Sequence, residues 1–112
     1  MSLRPGFSII IPTFNRAFCI CEAVDSVLMQ NYPDFELIVI DDGSSDGTDM
    51  LLKERYGAEM ACGRLKYLQS GHEGVSAARN KGLRAATREW AGYLDTDNRM
   101  CADYFAVFEN AV

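Results

Sequence analysis

The sequence predicts an α/β domain: a Rossmann-like, mostly parallel sheet of about four strands with helices on both faces. Three observations carry this reading. Apolar runs of strand length alternate with segments of helical period, the pattern of βαβ units. Three of the four runs stop in polar clusters, Pro12-Thr13-Phe14-Asn15-Arg16, Asp41-Asp42-Gly43-Ser44 and Asp95-Thr96-Asp97. The third helical segment is rich in Ala and Gly, which lets a helix approach a sheet closely.

The first strand is Phe7 to Ile11, and Pro12 is expected to end it by removing a ladder donor. A helix follows over about 17–30, with Cys21, Val24, Val27 and Leu28 at spacings of three and four. Asn31-Tyr32-Pro33-Asp34 reads as the turn into a second buried strand, Phe35 to Ile40. Ser44, Ser45 and Asp46 offer helix caps. The next helix is expected over Asp49 to Tyr56, with Gly57 as its C-cap and 58–63 as an irregular connection. Leu65 to Leu68 is a short third strand, followed by a loop through Ser70-Gly71-His72-Glu73-Gly74. The small-residue helix runs from about Val75 to Thr87, the fourth strand from Trp90 to Leu94, and a last helix starts near Ala102.

At 112 residues the chain has room for one domain, and 48% hydrophobic residues supply a core. A net charge of -5 is a poor match for nucleic acid or an anionic membrane, so neither is expected as a direct partner. No run reaches the roughly 18 apolar residues of a membrane span. The N-terminus has no signal-peptide profile. Cys19, Cys21, Cys62 and Cys101 lack the spacing of a zinc ribbon or the density of a disulfide scaffold, and read as buried, reduced thiols.

In open parallel sheets ligands bind at the carboxyl ends of the strands, which directs attention to the polar clusters. Asp95 and Asp97 are two apart, so an extended backbone aims both carboxylates the same way. Such a pair repels unless a cation neutralises it, and a hard ion such as Mg²⁺ or Mn²⁺ takes oxygen ligands while leaving positions for substrate phosphates. The same spacing also fits a solvated turn in which Asp97 or Asn98 caps the following helix. Asp41 and Asp42 are adjacent and must point apart, one toward the crevice and one toward the Gly43-Ser44 turn. Arg79 lies within two turns of its helix start, within reach of a phosphate, while His72 reads as a surface residue with no visible partner. No P-loop, G-x-G-x-x-G or G-x-S-x-G pattern follows a strand, which removes support for ATPase, dinucleotide and acyl-transfer readings.

Five ordered segments resemble the family-2 glycosyltransferases of the GT-A fold. They are Ser8 to Arg16, Ser26 to Glu36, Val39 to Ser44, Gly74 to Gly82 and Tyr93 to Asp97. The resemblance implies inverting transfer of a sugar from a nucleotide-diphospho-sugar, commonly uridine-linked, to a glycan or lipid-linked acceptor. On that analogy the opening loop from Pro12 to Arg16 lies at the donor, and Pro12, Thr13 and Phe14 cradle the base. Asp41 or Asp42 meets the base or ribose, and Arg79 lies close to the nucleotide. Asp95 meets the ribose or a metal-bound water, and Asp97 holds a divalent metal, Mn²⁺ or Mg²⁺. The resemblance also implies surface-polysaccharide or lipid-linked glycan synthesis, in the cytoplasm at the inner face of the membrane, with peripheral membrane association of a longer protein. The family's general base follows well after the D-x-D, so the catalytic base is expected beyond Val112. Residues 1–112 are accordingly expected to be the donor-binding part of a longer domain, inactive alone and prone to self-association. A noncatalytic nucleotide-sugar binding module is the alternative.

Overall fold

The computed structural model describes residues 5–96 and Asn98. Within them, four strands, β1 (Phe7–Thr13), β2 (Phe35–Asp41), β3 (Leu65–Gln69) and β4 (Trp90–Tyr93), form one sheet in the order β3-β2-β1-β4. Every pairing is parallel, with Ile10 opposite Ile38 on one side and Tyr93 on the other. Three helices connect them, α1 (Ile20–Leu28), α2 (Thr48–Ala61) and α3 (Val75–Ala85). The expected last helix, Asp97 and Cys101 lie outside the described residues. So does Val112, and with it the expectation of a general base beyond that residue.

Strand alternation sorts the apolar side chains between two cores. Phe7, Ile9, Ile11, Leu37 and Val39 pack with Ile20, Ala23, Val24 and Val27 of α1 and with Leu52 and Tyr56 of α2. Ile10, Ile38 and Ile40 face the other way and pack with Ala78 of α3. The chain moves outward from β1 to β3 with its helices on one face. It then crosses back to β4 with α3 on the opposite face, as right-handed crossovers require when strand order reverses. β1 is therefore the central pivot, and the reversal point falls between β1 and β4.

Several element boundaries differ from expectation. β1 continues through Pro12, which pairs in register with Ile40. Ile10 offers its carbonyl to Leu94 while Thr13 offers its own to Asp42, so even-numbered residues of β1 face β4. Pairing with β4 stops at Tyr93, and the N–H that Pro12 lacks would point where no strand remains. Helix α1 starts at Ile20 rather than near Ala17, because the Ala17 N–H is taken by Asp46 (2.9 Å) and residues 16–20 form a turn on the Arg16 carbonyl. It ends at Leu28, short of Gln30, whose N–H turns back to the Val27 carbonyl. Helix α2 passes through exposed Gly57, although its backbone kinks at Tyr56 (φ -122°, ψ 25°). Its end is a Schellman motif at Gly63 (φ +85°), where Arg64 N–H reaches Glu59 and Gly63 N–H reaches Met60. The thiols differ too: Cys19 and Cys21 are half-buried and Cys62 is exposed, all three free.

Two contacts hold α3 to the sheet. Gly82 sits so close to β1 that a Cβ there would lie 2.5 Å from Ile10 Cγ2, which is the close approach its composition predicts. At the amino ends of the strands, buried Glu36 accepts from the Ser8 hydroxyl (2.7 Å) and from the Thr87 N–H (2.7 Å) and hydroxyl (2.9 Å), just beyond α3. Its other oxygen pairs with Lys66 at 2.8 Å. Burial pushes this carboxyl up, but Lys66, Ser8 and Thr87 outweigh it and bring it from 4.5 down to about 2.

Gly82→Ala gains about 1 kcal/mol of helix propensity but overpacks against Ile10, and the net expectation is a loss of about 1–2 kcal/mol by urea denaturation. A depressed folded value means that Glu36 stabilises the fold above the unfolded value and loses that contribution as pH falls from 4.5 toward 2. The contribution at neutral pH is on the order of 3 kcal/mol. Glu36→Gln should lower stability at pH 7 and flatten the fall in stability between pH 5 and 2, measured by denaturant titration across that range.

Candidate active site

The carboxyl ends of β1 and β2 are stitched together before any ligand is considered. The Asp42 N–H donates to the Thr13 carbonyl (2.9 Å), continuing the ladder one step past the strands. Asn15, with a left-handed backbone (φ +52°), receives the Ser45 N–H on its side-chain oxygen (2.8 Å) and gives its own N–H to the Ser44 hydroxyl (2.8 Å). Asp46 binds the Ala17 N–H and the Thr48 hydroxyl and N–H, led by the Thr48 hydroxyl, and is held below the usual carboxylate range. Asn15 is thus a brace between two loops.

The two adjacent aspartates diverge as alternation demands. Asp41 is buried on the α1–α2 side, where it takes the Ser44 N–H (2.9 Å) and the Tyr67 hydroxyl (2.5 Å). Burial first, and then Asp41, push the Tyr67 hydroxyl well above its ordinary value. Asp42 faces the α3 side. Its Oδ1 accepts from the Ser70 hydroxyl (2.7 Å) and the Glu73 N–H (2.8 Å), and its Oδ2 from the Gly74 N–H (2.9 Å). Burial raises this carboxyl, but Ser70, the two N–H groups and neighbouring His72 outweigh burial and keep it ionised.

That clamp folds the 70–74 loop over the ends of the strands. Gly74 (φ +102°) leads into α3, and His72 adopts a left-handed backbone (φ +59°). The His72 ring rests on Phe14, centroids 4.5 Å apart, with Nδ1 3.9 Å from Asp42. His72 is exposed as expected, yet it has partners that the sequence did not reveal.

At the reversal point between β1 and β4 lies a cavity of about 210 Å³ lined by Pro12, Thr13, Phe14, Arg16, Asp42, Val75, Ala78 and Thr96. Five of the sequence-predicted residues meet there. The Thr13 hydroxyl is buried with no hydrogen-bond partner among the described residues. Arg79 and Asp95 stand outside the lining, paired at 3.5 Å, with the guanidinium 5.4 Å from the Tyr93 ring and its Nε buried without a partner among the described residues. Asn15 and Asp41 are turned to scaffold contacts. Val75, Ala78 and Thr96 join the site unpredicted: a small residue one turn into α3 and a threonine flanked by two aspartates carry no motif of their own. A larger groove, about 600 Å³, lies between β3 and α3 and contains none of the β1 or β4 strand-end residues.

Residues 8–107 match the family model described as glycosyl transferase family 2. A Campylobacter jejuni GalNAc(5)-diNAcBac-PP-undecaprenol beta-1,3-glucosyltransferase is 35% identical over 98 residues, covering 86% of this chain and 31% of that protein. The Pyrobaculum calidifontis mannosyltransferase PcManGT, solved with GDP-Man and Mn²⁺, superposes with a TM-score of 0.83 at 29% identity, over 98% of this chain and 32% of that one. S. aureus TarS 1–349 with UDP-GlcNAc gives 0.79 at 30% identity, over 95% and 30%. The chain spans 13% to 39% of the lengths of eight curated relatives that it matches. With the family pattern running from the first strand past the fourth, and a similar fold in proteins solved with nucleotide sugars, the chain belongs to glycosyl transferase family 2.

Proposed function

We propose that this chain forms the donor-binding part of an inverting glycosyltransferase, seating a uridine-diphospho-sugar in the cavity between β1 and β4 for transfer to a glycan or lipid-linked acceptor. The observation that carries the reading is the cavity at the strand ends, where the half-exposed Phe14 ring stands with the Arg16 cation and the ionised Asp42. Phe14 offers a stacking surface for a base, and Arg16 and Arg79 offer charge to a diphosphate. Relatives support the chemistry: one is named for glucosyl transfer onto an undecaprenol-linked glycan, and structural neighbours were solved with UDP-GlcNAc and with GDP-Man and Mn²⁺.

At the end of β4, Asp95 offers the oxygen donors that a hard divalent cation takes. Asp95 is more than half exposed, and the only described partner of its carboxylate is Arg79 at 3.5 Å, which leaves its oxygens accessible. Asp95 and Asp97 would hold the cation, and bound Mn²⁺ or Mg²⁺ would supply neutralisation of the charge that develops on the departing diphosphate.

Asp42 orders the site rather than acting as a base: it is ionised, already accepts three hydrogen bonds, and is held weakly basic. No other carboxylate lines the cavity among the described residues. We assign deprotonation of the acceptor to a group other than Asp42. A second reading is a noncatalytic nucleotide-sugar binding module. Release of uridine diphosphate from a uridine-diphospho-sugar by the chain alone would rule that second reading out.

In calorimetry, uridine diphosphate should bind more tightly with Mn²⁺ than without, and Asp97→Ala should abolish the difference. Metal-independent affinity in the unaltered chain would overturn the metal assignment. Phe14→Ala should weaken uridine diphosphate by about fivefold.

A further inference from the structure

Three features of the 70–74 loop converge on one residue. His72 carries a left-handed backbone, which few residues besides Gly adopt, though Asn, Asp and His do so more readily than the rest. Its conformation is imposed from both sides, by the Asp42 carboxylate gripping Ser70, Glu73 and Gly74, and by passage over Gly43, where an added Cβ would lie 3.5 Å from the His72 backbone. The strained position delivers an imidazole onto the Phe14 ring, 4.5 Å between centroids at a tilt of 32°. Phe14 lines the cavity and His72 does not.

We propose that His72 is a positioning residue for nucleoside recognition: its ring fixes the orientation of Phe14, so that the aromatic wall is set before a base arrives. The inference rests on the nucleotide reading of the cavity given above. Phe14 is 41% exposed, and a ring that free would otherwise sample its rotamers and lose that freedom on binding. The imidazole restricts it in advance. Asp42 then has a double output, since one carboxylate holds the loop that holds the ring.

The test compares uridine diphosphate with inorganic pyrophosphate, which lacks the base, in Mn²⁺ buffer by calorimetry. His72→Gly removes the ring while keeping a residue at ease with positive φ, and His72→Phe restores an aromatic ring. His72→Gly should weaken uridine diphosphate by about three- to tenfold and pyrophosphate by less than twofold, and His72→Phe should recover most of the loss. In the free protein, the Phe14 ring proton resonances should move toward unstacked values in His72→Gly and not in His72→Phe. Equal losses for both ligands, or unchanged affinity and unchanged Phe14 resonances in His72→Gly, would overturn the positioning role while leaving the nucleotide reading intact. If the unaltered chain binds pyrophosphate but not uridine diphosphate, the nucleotide reading fails, and this inference fails with it.

Discussion

A parallel strand inside a sheet must supply hydrogen bonds to two neighbours, and the whole arrangement follows from where β1 stops doing so. Up to Ile10 it serves both β2 and β4; from there to Thr13 it serves β2 alone. Pro12 makes that one-sidedness permanent, because it has no N–H to offer a longer β4. The sheet divides at that point, and the gap it leaves is the cavity. Everything that enters the cavity arrives because it sits just past a divided strand end: Thr13 and Phe14 from β1, Asp42 from β2, Thr96 from β4, with α3 closing one side.

The two buried carboxylates of the α3 face show how charge can serve architecture in an acidic protein. Glu36 and Asp42 are each surrounded by donors and each remain ionised despite burial. Neither meets the definition of a free acid or base. Their value is directional: Glu36 gathers Ser8, Lys66 and Thr87 from three separate segments, and Asp42 gathers one distant loop, Ser70 through Gly74. Asp41 does the same on the opposite face with Ser44 and Tyr67.

Much of this was legible in the sequence, and the failures have physical causes. The four strands, their order of appearance and the faces of their side chains follow from apolar runs and period-two alternation. Alternation also required Asp41 and Asp42 to diverge, but which of them faces the crevice depends on which side α3 packs, a long-range fact. Pro12 misled because a missing donor matters only if a neighbour needs it. Gly57 misled because an exposed helical glycine costs only about 1 kcal/mol, less than the packing and the Gly63 terminus return. The partnership of His72 with Phe14 joins a loop after β3 to the end of β1, and no local spacing encodes it. Asp97, the sharpest metal expectation, lies outside the described residues.

Glu36 and Asp42 stand at opposite ends of the same strand, and α3 is fastened to both. Gly74, at the entry to α3, is tied to Asp42, and Thr87, just past its exit, is tied to Glu36. β2 therefore acts as a ruler against which α3 is cut to length. A residue inserted into α2, which has exposed surface and a kink to absorb it, changes little on that scale. A residue inserted into α3 would rotate Gly82 away from Ile10 and release one of the two ends, so its eleven-residue length is a gauge that drift in sequence can repaint but not stretch.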